Sequence, residues 1–338
     1  MTDLVERVTA RRVTAVLGPR RYGKTSLLRR VAAELTEVTT VWVDLYEVTS
    51  TADVAVRFDD ALAATSGRFV SSARSLAATL SLNLGVVKVE LAGPARNRPD
   101  APLTLKALLD VLVGAAARTA TLLVVDEFSS IGRLRGAAGA LRTALQHHYS
   151  DLGIVFAGSH PSMMRTLFTG RAEPFYGQAD LVEVGPLDAG AVVEIIEAGF
   201  AGTGRHPGHL AGLISAFVGG HPQRAMQLAD ACWRHTTRGG TADAGTWSDA
   251  LDEVRRATAE PLERIYSGFE AGERALLRAV ARSGSAFGAE AELLDLSRGG
   301  AEHARRTLLD SGELAATGNG LIVVDPLLAD WLRRRFPI

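Results

Sequence analysis

Lysine is nearly missing from this chain: Lys24, Lys88 and Lys106 are its only three, against 34 arginines in 338 residues. Where a residue type is so scarce, the place of each copy is informative. Cysteine is scarcer still. Cys232 stands alone, which excludes an internal disulfide and a cysteine zinc site; within the helical run 223–235 it reads as a small buried core residue. Long hydrophobic runs are also missing. No stretch approaches the roughly 18 residues of a membrane span, and the opening MTDLVERVTARR lacks the apolar segment of a secretion signal. A cytoplasmic protein with no membrane partner is therefore expected. Net charge is almost absent, at −1, which argues against coating nucleic acid by bulk electrostatics and leaves only a local basic face for that purpose. The arginine bias is of the kind that a GC-rich genome produces. What is present, 47% apolar and 22% charged residues, is the balance of a folded globular protein rather than a disordered one. The length suits two or three domains.

Lys24 falls within residues 17–26, LGPRRYGKTS. Gly18, four intervening residues and then Gly23-Lys24-Thr25 make the phosphate-binding P-loop pattern. A triphosphate needs a turn that aims successive backbone N–H groups at one point, and glycines allow that approach because they lack a Cβ. Lys24 would neutralise the β and γ phosphates, and Thr25 would offer its hydroxyl to Mg²⁺. A helix starting near Lys24 would direct its positive end at the anion. The context agrees: residues 13–17 (VTAVL) suit a buried parallel strand and 25–35 (TSLLRRVAAEL) have helical spacing. Gly18, Pro19, Arg20, Arg21, Tyr22, Gly23, Lys24, Thr25 and Ser26 are the candidate nucleotide-binding residues.

Further strands are expected at 39–45, 120–125, 153–157 and 179–184, separated by helices at 52–79, 103–118, 136–149 and 161–169. Strands alternating with helices at this spacing mean a parallel sheet covered on both faces. Residues 82–91 (LNLGVVKVEL) alternate enough for a strand or hairpin, and 92–102 are punctuated like an exposed loop; 80–102 read as an excursion from the core. After Gly185-Pro186 the character changes to helices without strands, including 189–198, 210–217 and 222–235. The last part runs helix (271–282), helix (289–296), helix (300–310), then a short strand pair around Gly318-Asn319-Gly320, which is the winged helix-turn-helix order.

The third strand ends in LLVVDEF. Asp126 would hold Mg²⁺ through water, and Glu127 would orient and deprotonate the attacking water; without the P-loop upstream, the two carboxylates would read equally well as a solvated strand end. Ser159, at the end of the fourth strand, either reads the γ phosphate and positions water or merely caps the following helix. Arg224 opens a helix in the second part of the chain, from which it would swing toward the phosphates. Arg171, at the end of the helix after Ser159, is the candidate arginine finger toward a neighbouring subunit. With 34 arginines in the chain, a solvated surface charge is the alternative for both. The candidate DNA-reading helix, 300–310, carries Arg305 and Arg306 but also Glu302 and Asp310. From residue 262 to 338 the count is 10 arginines against 11 carboxylates, whereas a DNA reader should concentrate positive charge on one face. Packing on the ATPase core or binding protein is the alternative for that domain.

Taken in order, GPRRYGKTS, LLVVDEF, FAGSH, FYGQADLVEVGPL and GGHPQRAMQLA resemble AAA+-related ATPases of the STAND class, and within it the archaeal-type ATPase family also found in bacteria. The ending, Asp325-Pro326-Leu327-Leu328 with Trp331-Leu332-Arg333-Arg334, is similar to that family's winged-helix terminus, so the resemblance covers nearly the whole chain. It implies a P-loop NTPase α/β core over 1–186, a helical lid over 187–260 and a winged-helix domain over 261–338. It further implies that Lys24 and Thr25 bind phosphate and Mg²⁺, that Asp126 and Glu127 are the Walker B pair, that Ser159 is sensor 1 and that Arg224 is sensor 2. Pro222 matches a GxP motif close to the nucleotide. The chain departs from the pattern at Ser129, where the family often has Gln, at Gln178, where it often has Arg, and in lacking the N-terminal Gly-Arg-Glu motif that helps hold the base.

The expected function is a Mg²⁺-dependent ATPase acting as a nucleotide-driven conformational switch, with ATP/ADP and Mg²⁺ as its ligands and a protein partner. Two alternatives stand beside it. One is an ATP-regulated DNA-binding protein resembling replication initiators or helicase loaders, holding duplex DNA through Arg305 and Arg306. The other is a signalling scaffold that holds nucleotide with little hydrolysis. A nucleotide-dependent oligomer is expected if Arg171 acts in trans.

Overall fold

A computed structural model of the chain describes residues 1–92, 99–287, 289–294, 297–318 and 320–337. These form two compact units: Met1–Gly18 with Lys24–Val184, and Pro19–Gly23 with Gly185–Ile338.

The first unit runs α1 (Thr2–Thr9), β1 (Thr14–Leu17), α2 (Lys24–Glu34), β2 (Thr39–Asp44), α3 (Thr51–Ala63), α4 (Gly67–Thr79), α5 (Val87–Ala92), α6 (Ala101–Ala116), β3 (Thr121–Asp126), α7 (Arg135–Leu145), β4 (Gly153–Gly158), α8 (Pro161–Thr169) and β5 (Asp180–Glu183). All five expected strands are present, paired in parallel in the order β2-β3-β4-β1-β5. Successive strand residues point to opposite faces, and both faces are covered. Ala15, Leu17, Leu123, Val125, Ile154 and Phe156 pack among the apolar residues of α3 to α8. Val16, Leu122, Val124, Val155 and Ala157 pack with Leu4 and Val8 of α1 and Leu28 and Val31 of α2. This double burial is why β1, β3 and β4 read as continuous apolar runs rather than alternating ones.

Residues 82–91 correct the expectation. They hold no strand or hairpin; α5 begins at Val87, and both Val87 and Leu91 are buried in the main core, so this stretch is no excursion. The cause lies on α3, where Asp59, 1% exposed, accepts the backbone N–H of Gly85 at 2.9 Å and of Val87 at 3.1 Å. These bonds satisfy donors that a helix start leaves without partners. Of the expected loop 92–102, residues 93–98 lie outside the described residues, and Asp100 caps α6 two residues earlier than the apolar pattern suggested, by accepting from Leu103 N. Residues 52–79, expected to be helical, form α3 and α4.

The second unit is helical up to its end: α9 (Ala189–Ala201), α10 (Leu210–Val218), α11 (Pro222–His235), α12 (Ala244–Ser267), α13 (Ala271–Ser283), α14 (Ala289–Leu293), α15 (Arg298–Ser311), β6 (Leu314–Thr317), β7 (Gly320–Val323) and α16 (Pro326–Arg335). β6 and β7 form the expected antiparallel hairpin. One apolar core runs through the unit from Val192 to Leu332, and α12 passes unbroken through position 260. Cys232 lies fully buried in that core, and burial pushes its thiol up to about 11. Asp330 of α16 is held by Arg255 of α12 and by Arg334, at 2.8 and 2.9 Å. Burial works to raise its carboxyl, but these hydrogen bonds overcome it and hold the group below the usual range. Among the described residues, no helix is long and apolar enough to cross a membrane.

Candidate functional site

The phosphate loop leaves the C-terminal end of β1, which lies between β4 and β5. Gly18 is required by close approach: a Cβ there would lie 2.4 Å from the carbonyl oxygen of Val184. Gly23 has φ +80°, a region that costs side-chain-bearing residues energy, and nothing lies within 4 Å of where its Cβ would be. Arg21 holds φ 67° without being glycine. Lys24 opens α2 and is 5% exposed; its Nζ donates to the Gly18 carbonyl at 2.9 Å, across the mouth of the loop. The backbone N–H groups at the start of α2 supply the partial positive charge that an anion seeks. Thr25 and Ser26 are exposed at that end.

Thr25 Oγ1 donates to Asp126 Oδ2 at 2.8 Å, joining two residues 101 positions apart. Asp126 closes β3, 5% exposed, and its register partner on β2 is Asp44. Burial pushes the Asp126 carboxyl up, as do the neighbouring carboxylates of Glu127 and Asp44, against hydrogen bonds from Thr25 and from Glu127 N. The Thr25 hydroxyl and the Asp126 carboxylate stand together as two oxygens that could serve a divalent cation, which would hold Asp126 ionised. Two protein oxygens suffice for Mg²⁺, which completes its octahedron with phosphate oxygens and water. Glu127 adopts the left-handed conformation, φ 50° and ψ 36°, uncommon for a residue with a side chain and typical of functional sites. Ser159, immediately after β4, donates to Glu127 Oε1 at 2.6 Å. Because β4 lies between β1 and β3, Ser159 stands between the phosphate loop and the Asp126-Glu127 pair.

A floor of rings supports this edge. Phe128 meets Phe156 at 4.3 Å, Phe175 at 5.2 Å and Phe168 at 5.8 Å between centroids. All four are buried, each such pair contributing about 0.5–1.5 kcal/mol beyond area. The three neighbouring rings thereby fix Phe128, the residue that follows Glu127. Ser129 is buried with its Oγ 3.4 Å from His160 Nδ1. Gln178 accepts a hydrogen bond from the Tyr149 hydroxyl. Arg171 lies past the end of α8, in an exposed turn.

In the second unit, Pro222 takes the first position of α11, and His221 caps that helix, its Nδ1 accepting from Arg224 N at 3.3 Å. The His221 ring stands edge-on to Tyr22 of the phosphate loop, 5.1 Å between centroids. Burial lowers the His221 imidazole, against the pull of Asp325, and raises the Tyr22 phenol with help from the Asp325 charge. Arg224 is buried and pairs with Asp325, which precedes α16. Arg305 bonds Glu302 of its own helix at 3.2 Å, and Arg306 is exposed. Asp325 and His221 lie in stretches that the sequence resemblance rests on, but neither was named there as a site residue. Asp325-Pro326 carries a legible helix-start signal, but nothing local names Arg224 as its partner.

The chain's fold is similar to that of the Walker-type ATPase paby2304 of Pyrococcus abyssi, with TM-score 0.73 and 18% identity over 98% of this chain and 94% of that one. It is also similar to the ORC2 protein of Aeropyrum pernix in ADPNP-ADP complexes (TM-score 0.58, 16% identity, 98% of this chain and 92% of that one). The ORC1 protein of the same organism, in complex with DNA, follows at TM-score 0.54 and 12% identity, over 98% of this chain and 91% of that one. At such identities the likeness shows the fold, a P-loop ATPase α/β sheet with a helical C-terminal region. No curated protein matches the chain. Residues 2–228 match the model of an ATPase domain family found predominantly in Archaea, and with two-thirds of its length in that match the chain belongs to this family of nucleotide-binding ATPases.

Proposed function

We propose that this ATPase is a Mg²⁺-dependent switch, whose C-terminal unit changes state as ATP becomes ADP. In this reading the N–H groups of residues 18–25 and the Lys24 ammonium hold the β and γ phosphates. Thr25 and Asp126 hold Mg²⁺, which when bound would neutralise charge on the phosphates. Glu127 takes the proton of the attacking water, Ser159 sets the Glu127 carboxylate, and Arg224 reads the γ phosphate. One observation supports the switch above all: Pro19–Gly23, the tip of the phosphate loop, groups with the second unit, and Tyr22 packs on His221, the cap of the helix that bears Arg224. In this reading a change of phosphate in that loop passes through Tyr22 and His221 to the start of α11. The test is hydrogen exchange over residues 185–338, comparing ATP-bound Glu127→Gln with ADP-bound wild type. Distinct protection in α11 and beyond is expected; identical patterns refute the switch.

A second reading has its own support. The order α13, α14, α15, β6, β7 suits a winged helix, and the similar ORC1 structure is a complex with DNA. As an ATP-regulated DNA-binding protein, the chain would hold duplex through Arg305 and Arg306. Affinity for labelled duplex that falls steeply with salt and weakens in Arg305→Ala/Arg306→Ala is expected in that case; absence of binding at low salt removes it. Stoichiometric ADP carried through purification, with slow turnover, would instead favour a scaffold that holds nucleotide.

A further inference from the structure

Arg224 is 5% exposed, and every nitrogen of its guanidinium group is engaged. Nε donates to Asp325 Oδ1 at 3.0 Å and Oδ2 at 3.2 Å, Nη2 also donates to Oδ2, and Nη1 donates to Gln227 Oε1 at 2.6 Å. The same carboxylate caps α16, with Oδ1 accepting Leu327 N at 3.0 Å and Leu328 N at 3.4 Å. Asp325 thus joins two helix starts that lie 101 residues apart in sequence. Its charge also reaches Tyr22 of the phosphate loop.

A guanidinium group offers a carboxylate the same two-pronged face that it offers a phosphate, and one set of nitrogens cannot serve both. The Asp325 carboxylate therefore stands as a phosphate mimic on Arg224. We infer that Asp325 is a positioning residue for Arg224, a carboxylate within the fold that competes with the γ phosphate for its guanidinium group and so ties the start of α16 to the nucleotide state. This rests on the reading of Arg224 as the residue that senses the γ phosphate. When ATP takes Arg224, the half-buried Asp325 carboxylate loses its cation and keeps only the N–H groups of Leu327 and Leu328, so the start of α16 adjusts to rehydrate it or to find it another donor. With ADP, no γ phosphate competes and the pair re-forms.

The test uses the full-length chain and calorimetric titration with Mg²⁺ plus either ADP or the non-hydrolysable analogue adenylyl imidodiphosphate. Asp325→Asn and Asp325→Ser both keep a side chain that caps α16 and remove the charge; a melting curve establishes that each is folded. Each should bind the triphosphate analogue about five- to tenfold more tightly than wild type, with ADP affinity changed less than about twofold. Adding Arg224→Ala should abolish the gain. A wild-type ratio of triphosphate to diphosphate affinity in the folded Asp325 variants, with weaker triphosphate binding by Arg224→Ala, overturns the competition and leaves the reading of Arg224 standing. Unchanged triphosphate affinity in Arg224→Ala removes that reading, and the inference with it.

Discussion

Ser159 and Glu127 meet at 2.6 Å across the ends of β4 and β3, the serine hydroxyl donating to the glutamate carboxylate. A carboxylate that is to accept a proton from water must have its direction set beforehand. Here the hydroxyl takes up one oxygen, and the left-handed backbone at residue 127 determines where the other can point. Glu127→Gln keeps the size and the hydrogen bond but cannot accept the proton. ATP turnover should fall about 10²- to 10⁴-fold while nucleotide still binds, measured by phosphate release and by equilibrium binding on the same preparation.

Ser159→Ala removes the donor alone. Loss of one hydrogen bond to a charged group, worth about 1.5–3 kcal/mol, should lower turnover roughly 10- to 100-fold if it is realised in the transition state. ATP affinity should hardly change. A variant that instead loses affinity at constant turnover would assign Ser159 to ground-state phosphate binding.

Lys24 is buried against the Gly18 carbonyl and bridges the loop at whose end it stands. In Lys24→Ala the rise in melting temperature that ATP confers on wild type should vanish, because a ligand stabilises only the state that binds it. A shift equal to that of wild type would show that the nucleotide sits elsewhere.

Gly18→Ala tests the contact between the ends of β1 and β5. The added methyl would lie 2.4 Å from a backbone oxygen, which cannot rotate away as a side chain does, so the cost should be about 1–3 kcal/mol. Gly136→Ala, where nothing lies within 4 Å of the Cβ position, is the control and should not destabilise. Chemical denaturation of both variants provides the comparison.

His221 is kept neutral by burial, its pKa below the ordinary 6.5. The unfolded chain therefore binds more protons at this site, so its contribution to stability is present above that ordinary value and is lost as pH falls through the folded one. The raised carboxyls of Asp126, Asp59 and Glu313 act in the opposite sense, so the difference between variants is the useful quantity. His221→Asn keeps a capping side chain, and its melting temperature should fall less than that of wild type on acidification from about pH 7.5 to 5.5. Parallel profiles would remove His221 from this role.

The five strands, the phosphate loop and Asp126-Glu127 were legible in sequence because each is a local matter: apolar runs long enough to be buried on both faces, a glycine spacing, carboxylates at a strand's end. Residues 82–91 misled because six or so alternating positions do not separate strand from helix. That choice was made by Asp59, twenty-six residues upstream of Gly85, through two backbone hydrogen bonds. The sequence by itself determined which groups are available: a glycine-spaced loop ending in Lys24, the hydroxyl of Thr25 and the carboxylates of Asp126 and Glu127. Only the tertiary structure decided which groups meet. The strand order β3-β4-β1 brought Ser159 to Glu127 and Thr25 to Asp126, and the folding of the second unit brought Asp325 to Arg224. None of these three pairings can be read from spacing, because side chains 32 residues apart in the first and 101 apart in the other two become neighbours only through the burial of the surfaces between them.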